Sequence, residues 1–545
     1  MFTLFVLAGI VLRGLGQQPL QTLLVGVDHR TNVASLDGDW HYLVDYPPFR
    51  ALYAGGGAIN DRGYALNSHP NITSGPHNDE YDFATAPTLK VPGDWNTQVP
   101  QFFSYEVVVF YERDFDAEPK PGSRSFLHIG AANYRSHVWV NRKRVCDHEG
   151  EFTPFDCELT AVLHPGSNFI VIGVDATRLQ DSIPSVGYDW YNYGGLTRGV
   201  SLVTVPTAFI DDYDIHLAHG PAWQPDNREL TGYVHVLGAP AGTPVTIDVP
   251  EAGARTTVNT DAEGNARFSV TAARLTLWSP EFPKLYKVGL SSGADKLTDD
   301  IGFRDVRVDG TRILLNGRAV FLKGVNVHAE APIRGGRADN DQDVAMLNEM
   351  IRRDRNKASV ILWSMSNETG NNPVRTRFLA DLANEARQLD PTRLITSALN
   401  TDRRENAEGT LVDPLIDALD VVGLNEYIGW YGDKPEDADT IHWTLPQKPL
   451  IMSEFGAEAK IGNHGPVTQR WTYIYRHQLV MFSKIPQLRG TTPWVLLDFR
   501  STTRNIPIPQ DGYNRKGLLS EDGKKKQAFF IMQEAYKDTT VGKAE

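Results

Sequence analysis

The chain has 545 residues, of which 41% are hydrophobic and 22% charged, with a net charge of −13. That length implies two to four domains with room for large cores, and the composition is that of a globular protein. The acidic balance argues against nucleic acid as a main partner, and no run after the first residues approaches the ~18 apolar residues of a membrane span.

Residues 1–24 open with an apolar stretch from Phe2 to Leu12. It fits the h-region of a signal peptide, although no basic residue precedes it, and it also fits a buried first strand. The first reading implies a secreted or periplasmic protein, the second a cytoplasmic one. Asn71-Ile72-Thr73 is a glycosylation sequon, meaningful only on a secreted chain. Cys146 and Cys157 are the two cysteines; they offer no metal-site spacing and leave a disulfide or two free thiols open.

Residues 25–207 read as β, with short runs such as "SFLHIG", "SHVWVN" and "NFIVIGV" punctuated by Gly, Pro and Asn. A two-sheet sandwich fits this pattern. Residues 208–305 continue it with "ELTGYVHVL", "TPVTIDV" and "KLYKVGL", which fits a smaller immunoglobulin-like sandwich. From 306 to 545 the texture changes. Apolar runs at 319–327, 359–365, 394–399, 419–425, 449–455 and 491–499 alternate with helical patterns. Such alternation predicts a parallel sheet. Several runs end in polar residues: His328, Asn367 with Glu368, Asn425 with Tyr427, Glu454 and Asp498. In a β/α barrel the active site lies at those carboxyl ends.

Glu368 and Glu454 each close a separate strand, the placement a paired-carboxylate glycosidase needs for its acid and its nucleophile. A solvated strand end is the plain alternative for either one. Asn367 can hydrogen-bond a sugar hydroxyl or cap the next helix. Tyr427 can orient Glu454 or pack in a core. Trp494 can stack on a sugar ring or fill the interior. Asn514 and Lys516 in "YNRKGLL" suit a sugar carboxylate, but taken alone they read better as a solvated basic turn.

These residues, together with "VPGDWN", "HEGEFTPF", "DWYNYGGLTRGV", "LKGVNVHAE", "VILWSMSNETG", "LNEYIGWYG" and "PLIMSEFGAE", resemble glycoside hydrolase family 2, most closely its β-glucuronidase branch. The resemblance implies a multidomain β plus α/β fold: a jelly-roll sugar-binding domain, an immunoglobulin-like sandwich and a C-terminal TIM-type barrel. It implies retaining exo-hydrolysis of terminal β-D-glucuronosides, with β-galactosides or β-galacturonides as alternatives. It makes Glu368 the acid/base, Glu454 the nucleophile and Tyr427 its support. Asn367, His328, Asp189, Asn425 and Trp494 become sugar-binding residues, and Asn514 with Lys516 becomes a clamp for the uronic carboxylate. The partner is then a carbohydrate or glucuronide conjugate. Neither cofactor nor metal is implied, and a homo-oligomer stays open.

One departure stands out. The stretch between 330 and 358 is too short for the second strand, second helix and third strand of such a barrel, since one βαβ unit takes ~30 residues or more. Six strands are expected instead of eight. That removes a wall of the sugar pocket and leaves unpaired edges. The expectation is reduced or absent activity in this chain, or a non-catalytic carbohydrate-binding role.

Overall fold

Alternation of exposed and buried positions sets the first architecture. In Thr88–Val91 every second side chain is buried, as expected of a strand with one face on a core. A computed structural model describes residues 24–45, 83–178, 189–328, 347–404, 408–431, 434–462 and 466–537. The apolar leader, the sequon at Asn71 and the segment directly after His328 lie outside the described residues. A six-stranded antiparallel sheet, including Gly38–Asp45, Val108–Ala117 and Gly166–Asp175, shares a core with a four-stranded sheet that includes Ser123–Ile129 and Val200–Pro206. Trp40, Trp95 and Tyr111 are fully buried there. Cys146 and Cys157 form a disulfide between Lys143–Glu149 of the larger sheet and Phe155–Glu158 of the smaller one.

A second sandwich packs the three strands Phe209–Leu217, Glu229–Leu237 and Asn265–Thr271 on four strands between Pro244 and Ile301, around one apolar core. The strands Val306–Asp309, Arg312–Leu315 and Arg318–Val320 then form a small antiparallel sheet of their own.

Six parallel strands make the third sheet: β1 (Leu322–Lys323), β2 (Leu362–Asn367), β3 (Leu394–Asn400), β4 (Val422–Asn425), β5 (Leu450–Glu454) and β6 (Leu488–Thr491). Their order is β1-β6-β5-β4-β3-β2. Helices Leu347–Asp354, Pro373–Leu389, Pro466–Phe482 and Gln527–Lys537 alternate with the strands, and one continuous apolar core joins strands and helices. Among the described residues β1 and β2 do not pair, so the barrel wall is open between them. The expected count of six strands holds.

The expected strand at 491–499 is displaced. The paired segment is Leu488–Thr491, and Gly490 lets it approach β1, for a Cβ there would lie 2.9 Å from that of Leu322. Pro493 cannot donate to a ladder. The chain instead crosses the carboxyl ends of the sheet: Trp494 N donates to Phe455 O at 3.0 Å and Leu496 N to Asn326 O at 2.8 Å. Asp498 is a buried hub that accepts from Lys526 at 2.6 Å and Arg515 at 3.3 Å, and so is not an exposed strand end.

Gly194 closes the loop that delivers Asp189 toward the barrel. A Cβ on Gly194 would stand 2.1 Å from the buried Trp95 ring. Gly194→Ala is therefore expected to lose about 1–3 kcal/mol of stability by overpacking. Thermal melts of the two proteins check this, and equal melting points would refute it.

Candidate active site

The parallel register brings the polar strand ends to one level. Asn425, last in β4, lies opposite Glu454, last in β5. A cavity of about 560 Å³ opens over them. Asn367, Glu368, Asn425, Tyr427, Glu454, Trp494, Asn514, Lys516 and Asp189 all line it. Nine of the ten residues singled out from the sequence are thus brought together. His328 is the exception: its ring stacks on Phe499 at 3.9 Å and meets Trp494 edge-on at 6.4 Å, so it supports the wall from behind.

The two glutamates have different surroundings. The Tyr427 hydroxyl donates to Glu454 Oε2 at 2.7 Å. Asn425 Nδ2 donates to Glu368 Oε1 at 2.8 Å and to Asn367 Oδ1 at 2.9 Å. Ser453 Oγ holds the same carboxamide by donating to Asn425 Oδ1 at 2.8 Å. Glu368 has φ +50°, a left-handed conformation uncommon for a residue with a side chain. Such strained positions cluster at functional sites. Glu368 and Asn367 are exposed, whereas Glu454 is half-buried. Asn367 does not cap the next helix. That is done by Asn372, whose Oδ1 accepts from Arg375 N at 2.9 Å.

Burial pushes the Glu454 carboxyl up to about 7. The Glu368 charge adds to this, while Tyr427, Asn425 and Lys516 pull the other way. Tyr427 is raised well above its ordinary range by burial and by the facing Glu454.

Asn514 and Lys516 are not a solvated turn. Each is 2% exposed. The short strand Tyr513–Asn514 pairs with Phe499–Arg500 and carries them into the cavity wall. The Lys516 ammonium donates to the Tyr431 hydroxyl at 2.8 Å and lies 5.4 Å from the Tyr427 ring centroid. Asp189 is heavily engaged. It accepts from Thr503 Oγ1 at 2.7 Å, Arg504 Nε at 2.9 Å, Asn514 Nδ2 at 3.0 Å and the Ser501 hydroxyl. Burial works to raise its pKa, but the Arg504, Ser501 and Thr503 contacts outweigh it and hold the carboxyl below its ordinary value.

Arg504, Tyr431 and Trp190 also line the cavity and were missed from the sequence. Arg504 sits in an irregular loop with no periodicity. The described residues contain no group of His, Cys, Asp and Glu suited to a metal ion, and none of their helices is long and apolar enough to cross a membrane.

Two carboxylates at the carboxyl ends of separate strands, lining one polar cavity, are the equipment of a glycosidase. The family comparison agrees: residues 33–206 match the sugar binding domain and residues 339–540 the TIM barrel domain of glycosyl hydrolases family 2. The chain belongs to that family. It is 25% identical to a β-glucuronidase of Rattus norvegicus over 92% of this chain and 90% of the relative. It is 26% identical to one of Paenibacillus borealis over 82% and 90%. Among solved structures it superposes on Bifidobacterium dentium β-glucuronidase complexed with coumarin-3-O-glucuronide with a TM-score of 0.75, at 21% identity, covering 94% of this chain and 98% of that one. On the Ruminococcus gnavus enzyme the TM-score is 0.77, at 19% identity, covering 95% and 99%.

The raised Glu454 pKa has a sign for stability. Between about pH 4.5 and about 7 the folded protein keeps a proton that the unfolded chain has released, so this residue lowers stability as pH rises and its effect levels off above 7. Glu454→Gln is expected to be more stable than the parent at pH 8, by roughly 1–3 kcal/mol, and equal to it at pH 4. Paired melts across that range test this; a gap independent of pH would contradict it.

Proposed function

We propose that the chain is a retaining exo-glycosidase that releases terminal β-D-glucuronosyl residues. The observation that carries this is the joint placement of Glu368, Glu454, Tyr427, Asn514 and Lys516 in one cavity, with Tyr427 bonded to Glu454 and Asn425 to Glu368. The curated relatives named β-glucuronidase support the sugar. In this reading the Glu454 carboxylate attacks the anomeric carbon while Glu368 protonates the departing glycosidic oxygen, and a glycosyl ester forms on Glu454. Glu368, now a carboxylate, takes a proton from water, which attacks the anomeric carbon and frees Glu454. The Tyr427 hydroxyl keeps one Glu454 oxygen fixed so that the other faces the sugar. Asn367 and Asn425 bind hydroxyls, Trp494 offers a stacking face, and Asn514 with Lys516 receives the uronic carboxylate. No step calls for a metal or cofactor.

A second reading rests on the wall between β1 and β2, open among the described residues, and on the exposure of Glu368 at the tip of β2. The alignment to the rat relative runs over 621 positions, more than the 545 residues of this chain, so that relative carries internal segments absent here. In this reading the chain binds a glucuronide and hydrolyses it slowly or not at all. The Cys146–Cys157 disulfide and the apolar Phe2–Leu12 stretch support secretion.

Release of 4-nitrophenol from matched aryl β-D-glucuronide, β-D-galacturonide and β-D-galactoside separates the readings. The glucuronide is expected to be the preferred substrate, and Glu454→Gln to lose about 10³-fold or more of its kcat. Binding of D-glucuronate without turnover, in folded protein, would favour the second reading. Because the nucleophile must be ionised, kcat/KM is expected to rise with pH through an apparent pKa near 7. A flat profile from pH 5 to 8 would show Glu454 already ionised at pH 5 and overturn its raised pKa, while the loss of turnover in Glu454→Gln tests the nucleophile role itself.

A further inference from the structure

The two cations of the cavity wall converge on a further carboxylate that does not itself line the cavity. Glu458 is 5% exposed. Its Oε1 lies 3.1 Å from Arg504 Nη1 and 3.8 Å from Lys516 Nζ, and its Oε2 accepts from Gln510 Nε2 at 2.8 Å. The turn that places it follows β5: Gly456 has φ +126°, and a Cβ there would be 2.5 Å from the Tyr475 hydroxyl. Ala459 N then bonds Arg515 O at 2.8 Å, fastening this turn to the segment that carries Lys516.

Arg504 also reaches forward to Asp189, its Nη2 at 2.8 Å. Arg504, Lys516, Asp189 and Glu458 thus form a group of two cations and two carboxylates with no net charge. Without Glu458 the two cations would repel each other, and the Arg504 side chain would keep Asp189 and the Tyr431 hydroxyl. Lys516 would keep only the Tyr431 hydroxyl and its aromatic neighbours.

We propose that Glu458 is the positioning residue of the anion clamp, drawing Arg504 and Lys516 to one side of the cavity so that both, with Asn514, meet the substrate carboxylate. This rests on the β-glucuronidase reading and deepens it by making Arg504 a specificity residue. Simple screening makes the opposite demand. If Glu458 only neutralised the cations, removing its charge would tighten binding of an anionic sugar.

The test compares an aryl β-D-glucuronide with the matching aryl β-D-glucuronamide, which differs only in carrying a neutral amide at C6. The parent should prefer the acid. Glu458→Gln should lose about tenfold or more of that preference, through a higher KM for the acid, with kcat little changed and the amide within about twofold of the parent. Glu458→Asp should restore most of it. An unchanged or increased preference in Glu458→Gln overturns the inference and leaves the β-glucuronidase reading standing. A parent with no preference for the acid overturns both. Should Glu458→Gln lose amide turnover as well, through misfolding, Gln510→Ala decides. It keeps every charge but removes the other anchor of Glu458, and is expected to shift the preference the same way by a smaller factor. No shift there overturns the inference.

Discussion

One carboxamide joins the working ends of the barrel. Asn425 is 5% exposed and spends its polar atoms on β2 and β5 at once: it donates to Asn367 and Glu368 and accepts from Ser453. A buried amide with a missing partner is costly, so these bonds form together or the strand ends separate. Parallel pairing supplies the remaining condition. Because Asn425 and Glu454 are register partners, a one-residue slip of β5 would turn the carboxylate to the opposite face of the sheet. The placement of the two glutamates therefore follows from backbone pairing plus one side chain, and needs no flexible loop.

The wall of the cavity that carries Lys516 is built on a different principle. Charges are rarely buried unless paired, and Lys516, Asp498, Arg515 and Lys526 are all buried. Each has an opposite charge or an aromatic ring within reach. Asp498 carries the structural part, holding Arg515 and Lys526 on the far side of the segment from the cavity. Asn514 and Lys516 alternate with Arg515 along an extended stretch and so face the other way. This is the period of two that made Asn514 and Lys516 a plausible pair from sequence. It also explains why Arg515, between them, belongs to the framework and not to the pocket.

What was legible depended on periodicity. Apolar strands ending in Glu368, Asn425 and Glu454 announce themselves because a doubly buried strand reads as an unbroken hydrophobic run. β6 did not, because "LRGT" is short and partly polar, and its neighbour "TTPWVLLDF" looks more like a strand than it behaves. Arg504, Tyr431 and Glu458 were invisible for a related reason. Their roles arise where loops from different parts of the chain meet, and no local pattern encodes such a meeting. His328 shows that a strand-end position is not enough for a place in the lining: its ring packs against Phe499 and Trp494, which line the cavity where it does not.

Among the described residues, five of the six strand pairs a closed ring of six would need are present, and β1 and β2 are the pair not joined. Asn425 ties the tip of β2 to β5. Among the described residues β2 is held by β3 along its ladder and by Asn425 at its tip. β1 is held by β6 and by Asn326, whose amide donates to Ser453 O at 2.7 Å and Thr492 O at 2.9 Å. Both loose strands are thus tied back to the β4–β5 centre through side-chain amides at the carboxyl end, where a fully closed barrel would use neighbouring strands. Glu454, in the middle of the sheet, inherits rigidity from both sides. Glu368, exposed at the tip of β2, is held by its backbone bond to Ala398 O at 3.0 Å and by Asn425 at its carboxylate, so a disturbance of either β3 or Asn425 reaches it directly.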